Sequence, residues 1–211
     1  MKTDTRRESV AGPAGVIECA MDEPVLAHGA TARGLAVLCH PHPQFGGTMD
    51  NKVVVTLARA FLQLGYRALR FNFRGVGGSA GAWDEGQGEI DDALAVIKAQ
   101  RAQSPGLPLA LGGFSFGGYV AAQAAARLAA SAPVERLVLV GPATSRFEMP
   151  ATVAPDTVVI HGEADEVVPL IATLDWARPQ VLPVIVLPGV GHFFHGQLTL
   201  LKNQVIQAWH V

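Results

Sequence analysis

The stretch Leu107-Pro-Leu-Ala-Leu111, running on into Gly112-Gly113-Phe114-Ser115-Phe116-Gly117-Gly118, decides the fold. An apolar strand enters a turn built on glycine and a single serine. What leaves the turn is an alanine-rich run in which Ala121, Ala124, Ala125 and Leu128 recur at steps of three and four, the spacing of one helix face. The pattern G-x-S-x-G between strand and helix has a physical cause. A nucleophile held on a strained strand-to-helix turn needs neighbours without side chains two positions away on each side. Gly113 and Gly117 supply that room and leave Ser115 projecting, with the N–H groups of a helix start behind it.

The same alternation extends along the chain. Leu35–Cys39, Ala68–Phe73, Arg136–Val140, Thr157–Ile160 and Val184–Leu187 are short, nearly continuous apolar runs. Such runs suit strands buried on both faces. Gly15–Met21 reads as a first strand, placed at a sheet edge because Glu18 interrupts it. Between the strands, Val54, Leu57, Phe61 and Leu64 form one apolar stripe, Ile90, Ala93, Leu94 and Ile97 a second, and Leu198, Leu201, Val205 and Trp209 a third. Strands alternating with amphipathic helices predict a single α/β domain over residues 1–211, with a mostly parallel, doubly wound sheet of about eight strands. Residues 1–13 read as a flexible N-terminal segment, and Gly75–Gly88 as one long surface loop.

In such a sheet, ligands sit beyond the carboxyl ends of the strands. His40 and His42, Ser115, Asp165 and His192 all follow strand ends. A serine hydroxyl needs a base, and the base needs a group to orient it. Asp165 in His161-Gly-Glu-Ala-Asp165 and His192 in Gly189-Val-Gly-His192 complete the order Ser, acid, His. G-x-S-x-G enzymes of this sheet type use that order. Glu163 and Glu166 compete with Asp165 as the acid, and His195 with His192 as the base.

The sequence resembles the α/β-hydrolase superfamily, and within it a small bacterial group of lid-less serine hydrolases. Five segments carry the resemblance: His40-Pro-His-Pro-Gln-Phe-Gly-Gly-Thr-Met49, Asn72-Phe-Arg-Gly-Val-Gly-Gly-Ser79, the serine turn, His161–Asp165 and Gly191-His-Phe-Phe194. They span the chain from about Gly34 onward. The resemblance implies Ser115, Asp165 and His192 as a catalytic triad. It further implies hydrolysis of ester or related acyl bonds without a cofactor. The developing oxyanion then needs two donors. The resemblance points to the backbone N–H groups of Phe116 and of His42, which stands two residues past the strand-end His40. Pro41 and Pro43 have no N–H to offer, and Gln44 and Phe45 are the fallbacks. His40 reads as a buttress of this loop or as a buried structural histidine.

Phe45, Trp83 and Phe193 are the candidate substrate-binding side chains, and Phe114 reads as plain core. Arg74 is a candidate anion contact, although a loop salt bridge is the more common role for such an arginine. No cap is expected. Pro142–Asp156, where caps are inserted in this superfamily, is about 15 residues long, and two helices with their turns need ~25 or more.

Several alternatives are set aside. Zinc motifs place ligands at helical or knuckle spacings, and the proline-flanked pair His40 and His42 does not, so no metal is expected. Gly75-Val-Gly77-Gly-Ser-Ala80 fits G-x-G-x-x-A but opens into more glycine rather than a helix, so no nicotinamide or flavin is expected. With 16 basic and 18 acidic residues, the net charge of −2 gives no footprint for nucleic acid. No apolar stretch reaches the ~20 residues that span a bilayer, and the N-terminus lacks the apolar core of a signal peptide. Cys19 and Cys39 read as buried reduced thiols. The expectation is a soluble cytoplasmic enzyme, a monomer or small homo-oligomer, acting on a small ester or thioester of a short acyl group. A peptidase or amidase of the same fold, and a non-catalytic binding member, are the alternatives.

Overall fold

The computed structural model describes residues 5–209. One eight-stranded sheet organises them, in the order β1-β2-β4-β3-β5-β6-β7-β8. The strands are β1 (Thr5–Gly12), β2 (Gly15–Asp22), β3 (Gly34–Cys39), β4 (Tyr66–Phe71), β5 (Leu109–Phe114), β6 (Arg136–Val140), β7 (Val158–Gly162) and β8 (Val184–Leu187). From β4 to β8 every pairing is parallel. The hairpin β1–β2 is added antiparallel at the β4 edge.

Five helices cover the sheet: α1 (Lys52–Gln63), α2 (Gln87–Gln103), α3 (Phe116–Leu128), α4 (Leu170–Ala177) and α5 (Leu198–Trp209). The stripes of α1 and α5 close a core over one face around Phe61, Tyr66 and Trp209. Those of α2 and α3 close a second core over the other face around Phe71, Phe73 and Tyr119. The central strands are buried on both faces, which is why their sequences are continuous apolar runs.

Two expectations are corrected at the N-terminus. The segment expected to be flexible contains β1, while Met1–Asp4 lie outside the described residues. Strand β2 is not an edge, because β1 pairs along its whole length from Thr5↔Asp22 to Gly12↔Gly15. Glu18 does not interrupt β2 but anchors the loop after β4. Its Oε2 accepts hydrogen bonds from Asn72 Nδ2 and from the Gly78 N–H, each at 2.8 Å. A buried ion pair, Arg70 to Asp22 at 3.1 Å, ties β4 to β2. Both cysteines are free and buried.

Candidate active site

The serine turn forms between β5 and α3. Ser115 stands at φ 55° and ψ −119°, a backbone conformation that L-residues rarely adopt and that surrounding structure must enforce. That enforcement is visible at the two glycines. A Cβ on Gly113 would overlap the backbone of Gly117, and one on Gly117 would overlap the Cys39 carbonyl. The turn is pressed against itself and against the end of β3 so closely that no side chain fits.

His192 lies on the loop after β8 and reaches the serine. Its Nε2 is 3.1 Å from Ser115 Oγ, and its Nδ1 is 2.6 Å from Asp165 Oδ2. Asp165 lies on the loop after β7. Its Oδ1 accepts the N–H groups of Val167 at 2.9 Å and Val168 at 2.8 Å. Burial alone would raise the Asp165 carboxyl, but the bonds from His192 and the Val168 amide outweigh it and hold the group below its ordinary range. Phe114, buried, packs its ring 4.9 Å from that of His192.

The rival residues are placed elsewhere. Glu163 accepts the Gly189 N–H at 2.9 Å and so ties the β7 loop to the β8 loop. Glu166 is exposed with no bond to His192, and His195 is exposed with its ring 6.0 Å from that of Phe193. His40 is fully buried. Its Nε2 accepts the Phe73 N–H at 3.0 Å, so its Nδ1 carries the proton and donates to the Pro41 carbonyl at 2.6 Å. It therefore braces the loop bearing His42, as one of its two readings had it.

In that loop the Gln44 N–H donates to His42 Nδ1, and the Phe45 and Gly47 N–H groups donate to the His42 carbonyl. The Gly46 N–H donates to Pro43. The His42 N–H is left without a partner among the described residues. The Phe116 N–H opens α3, where no intrahelical acceptor exists.

These groups surround a cleft of about 560 Å³ whose walls include Pro41, His42, Phe45, Phe116, Phe147 and Phe193. Its size falls within the range of small-molecule sites. A family model for the alpha/beta hydrolase fold matches residues 37–156. The chain belongs to that family. Its fold superposes on the crystal structure of XC6422 from Xanthomonas campestris, described as an α/β serine hydrolase without lid. The TM-score is 0.88 at 38% identity, covering 99% of this chain and 94% of that one. An α/β serine hydrolase homologue from Coxiella burnetii superposes with a TM-score of 0.83 at 35% identity, covering 98% of both chains. An uncharacterised protein of Rickettsia prowazekii, RP471, is 41% identical over 111 residues. That match covers 49% of this chain, and the chain spans about half (47%) of that curated relative's length.

As in the XC6422 structure, described as without lid, no cap is inserted after β6 among the described residues. The segment from Pro142 to Asp156 contains no helix and instead folds down onto α3, with Phe147 stacked on Tyr119 at 4.9 Å. One sequence expectation needs revision. Trp83 is not in the cleft wall; its ring packs behind it, 4.4 Å from His42 and 5.1 Å from Phe116. Arg74 takes its loop salt-bridge reading rather than that of an anion contact. Its guanidinium is held by Asp92, Nη2 to Oδ1 at 2.8 Å and Nε to Oδ2 at 3.0 Å, with Asp84 nearby. Phe45 and Phe193 do line the cleft and are exposed at its mouth. Arg146, not singled out in the sequence, also lines it. Among the described residues no three His, Cys, Asp or Glu side chains converge as a metal-binding set.

Proposed function

We propose that this protein is a serine hydrolase of carboxylic esters or thioesters with short acyl groups, acting through Ser115, His192 and Asp165. The observation that carries the reading is the continuous chain of bonds from Ser115 Oγ through His192 to Asp165 Oδ2, opening on one cleft. Ser115 Oγ attacks the carbonyl carbon as His192 Nε2 takes its proton. The carbonyl oxygen becomes an oxyanion, stabilised by the N–H groups of His42 and Phe116. Asp165 holds the imidazole with Nδ1 protonated and stabilises the imidazolium that forms. As the carbon–oxygen or carbon–sulfur bond to the leaving group breaks, His192 returns the proton to the departing atom. Water then attacks the acyl-serine with His192 again as base, releasing the acid and restoring Ser115.

The test is covalent. A fluorophosphonate probe adds to Ser115, detected by mass spectrometry on the Ser115 peptide, and Ser115→Ala abolishes both the adduct and hydrolysis of p-nitrophenyl butyrate. Absence of labelling would favour a binding module. Amide hydrolysis as fast as ester hydrolysis would favour a peptidase.

A further inference from the structure

Outside the reacting groups, the cleft wall is mostly apolar and aromatic, with Asn51 as an uncharged polar side chain, and it carries one permanent charge. Phe45, Phe116, Phe147, Val167 and Phe193 form much of it, and neither Asp nor Glu contributes. The charge is Arg146, exposed at the wall. Arg7, Arg67, Arg70, Arg74 and Arg127 are each paired with a carboxylate. The Arg146 guanidinium has no ion pair and no hydrogen bond among the described residues.

Its backbone is nonetheless fixed with respect to the nucleophile. The Ala143 N–H donates to the Ser115 carbonyl at 3.2 Å, and the Arg146 and Phe147 N–H groups both donate to the Ala143 carbonyl at 3.0 Å. The turn that carries Arg146 therefore hangs from the residue that carries the hydroxyl. Phe147, next in sequence, is held against Phe116 at 5.0 Å. The Arg146 side chain itself is exposed and lines the cleft.

A lone cation on a concave apolar wall acts more strongly than one on open surface, because low-dielectric walls focus its field. The planar guanidinium matches the geometry of a carboxylate or phosphate and binds either through paired N–H donors. No Asp or Glu side chain lines the wall beside Arg146, and the carboxylate of the site itself, Asp165, is buried behind His192. We propose that Arg146 is the specificity-determining residue of this cleft, and that the physiological ester or thioester carries an anionic oxygen group, carboxylate or phosphate, on its acyl or its leaving-group side. The proposal rests on the serine-hydrolase reading above and names the substrate class of that same site.

Two matched pairs of esters test it. The acyl-side pair is the p-nitrophenyl monoester of adipate and its methyl-capped neutral form. The leaving-group pair is 4-carboxyphenyl butyrate and its methyl ester on the benzoate. Each is measured with the wild type and with Arg146→Gln, Arg146→Glu and Arg146→Lys. Comparing enzymes on the same ester removes differences in intrinsic reactivity. In one pair, Arg146→Gln lowers the ratio of anionic to neutral kcat/KM about tenfold, mainly through KM. Arg146→Glu lowers it further, Arg146→Lys retains part of it, and 0.5 M NaCl diminishes it in the wild type. The pair that responds identifies the side bearing the anion. The proposal is overturned if neither ratio moves in Arg146→Gln, or if anionic and neutral esters fall together. Failure of the underlying reading looks different, since the wild type would then cleave none of the four esters and take up no fluorophosphonate, which overturns both.

Discussion

His161 lies fully buried beside Asp165, with its Nε2 3.4 Å from Asp165 Oδ2, the oxygen that receives His192. The same Nε2 is 2.9 Å from the Val168 carbonyl, so it is a donor. Nδ1 then accepts from Thr173 Oγ1 at 3.2 Å, and Thr144 donates to Thr173 at 3.0 Å. Burial holds His161 below its ordinary range, and the imidazole stays neutral. The Asp165 carboxylate is thus gripped by two backbone amides and flanked by two histidines, one fixed from behind by two threonines.

His161→Leu removes a donor from beside a buried carboxylate. The Nε2–H is given to the Val168 carbonyl and only its dipole flanks the carboxylate at 3.4 Å, so kcat should fall several-fold while KM changes little. His161→Gln, which can restore an N–H, should recover part of kcat. Equal KM and kcat effects in both variants would mean that His161 only supports the fold.

The proposed triad makes its own prediction. Ser115→Ala and His192→Ala should each lower kcat by on the order of 10⁴-fold or more, and the double variant should be scarcely worse than either. Asp165→Asn should lose less. Steady-state kinetics on p-nitrophenyl butyrate checks this, and substantial turnover by Ser115→Ala would refute the assignment.

The site was legible in the sequence wherever chemistry depends on one residue at a strand end. Strands buried on both faces announce themselves as apolar runs, and a strand end in a parallel sheet is a place, so Ser115, Asp165 and His192 could be nominated before any coordinates, the family resemblance favouring Asp165 over Glu163 and Glu166 and His192 over His195. What escaped was structure made by main-chain pairing or by loop packing. Strand β1 reads Thr5-Arg-Arg-Glu-Ser-Val-Ala-Gly12, with Val10 its one buried residue, so its pattern resembles coil. Its order comes from the ladder with β2 and from outside anchors such as Arg7 to Asp50 at 3.0 Å. Helix α4 is eight residues long and buries only Thr173 and Ala177, too little to mark a stripe. Trp83 and Arg146 were misjudged or missed for one reason: no periodicity tells which side of a loop faces a cleft.

Gly117 offers a stability test. With no space between the turn and the Cys39 carbonyl, Gly117→Ala must displace β3 or the α3 start. Overpacking of this kind, added to a strained turn, should cost about 3 kcal/mol or more and remove activity with it. Urea unfolding measures the loss. An unchanged midpoint would mean that the turn is looser than its geometry requires.

His40 gives the fold a pH dependence whose sign follows from its position. Burial lowers it from 6.5 to about 4, opposed in part by its bond to the Pro41 carbonyl. Its Nε2 must stay unprotonated to accept the Phe73 N–H. Between pH 6.5 and 4 the unfolded chain takes up a proton that the folded chain refuses. Stability is therefore full above about pH 6.5 and falls as the pH drops toward 4, by on the order of 3 kcal/mol from this residue. Urea midpoints of the wild type against His40→Gln over that range should show a shallower slope in the variant. Parallel slopes would assign the acid sensitivity to other groups.

The missing cap bears on acyl length. Phe45 is 86% exposed and Phe193 46% exposed at the cleft mouth, and no segment lies over them among the described residues. The cleft holds about 560 Å³, shared between acyl group, reacting carbon and leaving group. A palmitoyl chain would extend past this rim into water, and each CH₂ left unburied forgoes ~0.8 kcal/mol of transfer energy. Specificity should therefore level off after the first few carbons. Across p-nitrophenyl acetate, butyrate, octanoate and palmitate, kcat/KM is expected to peak at or before octanoate, with no jump in rate as the longer esters form micelles. A steady rise to palmitate would mean that a second chain or an opened tunnel covers Phe45 and Phe193 in solution.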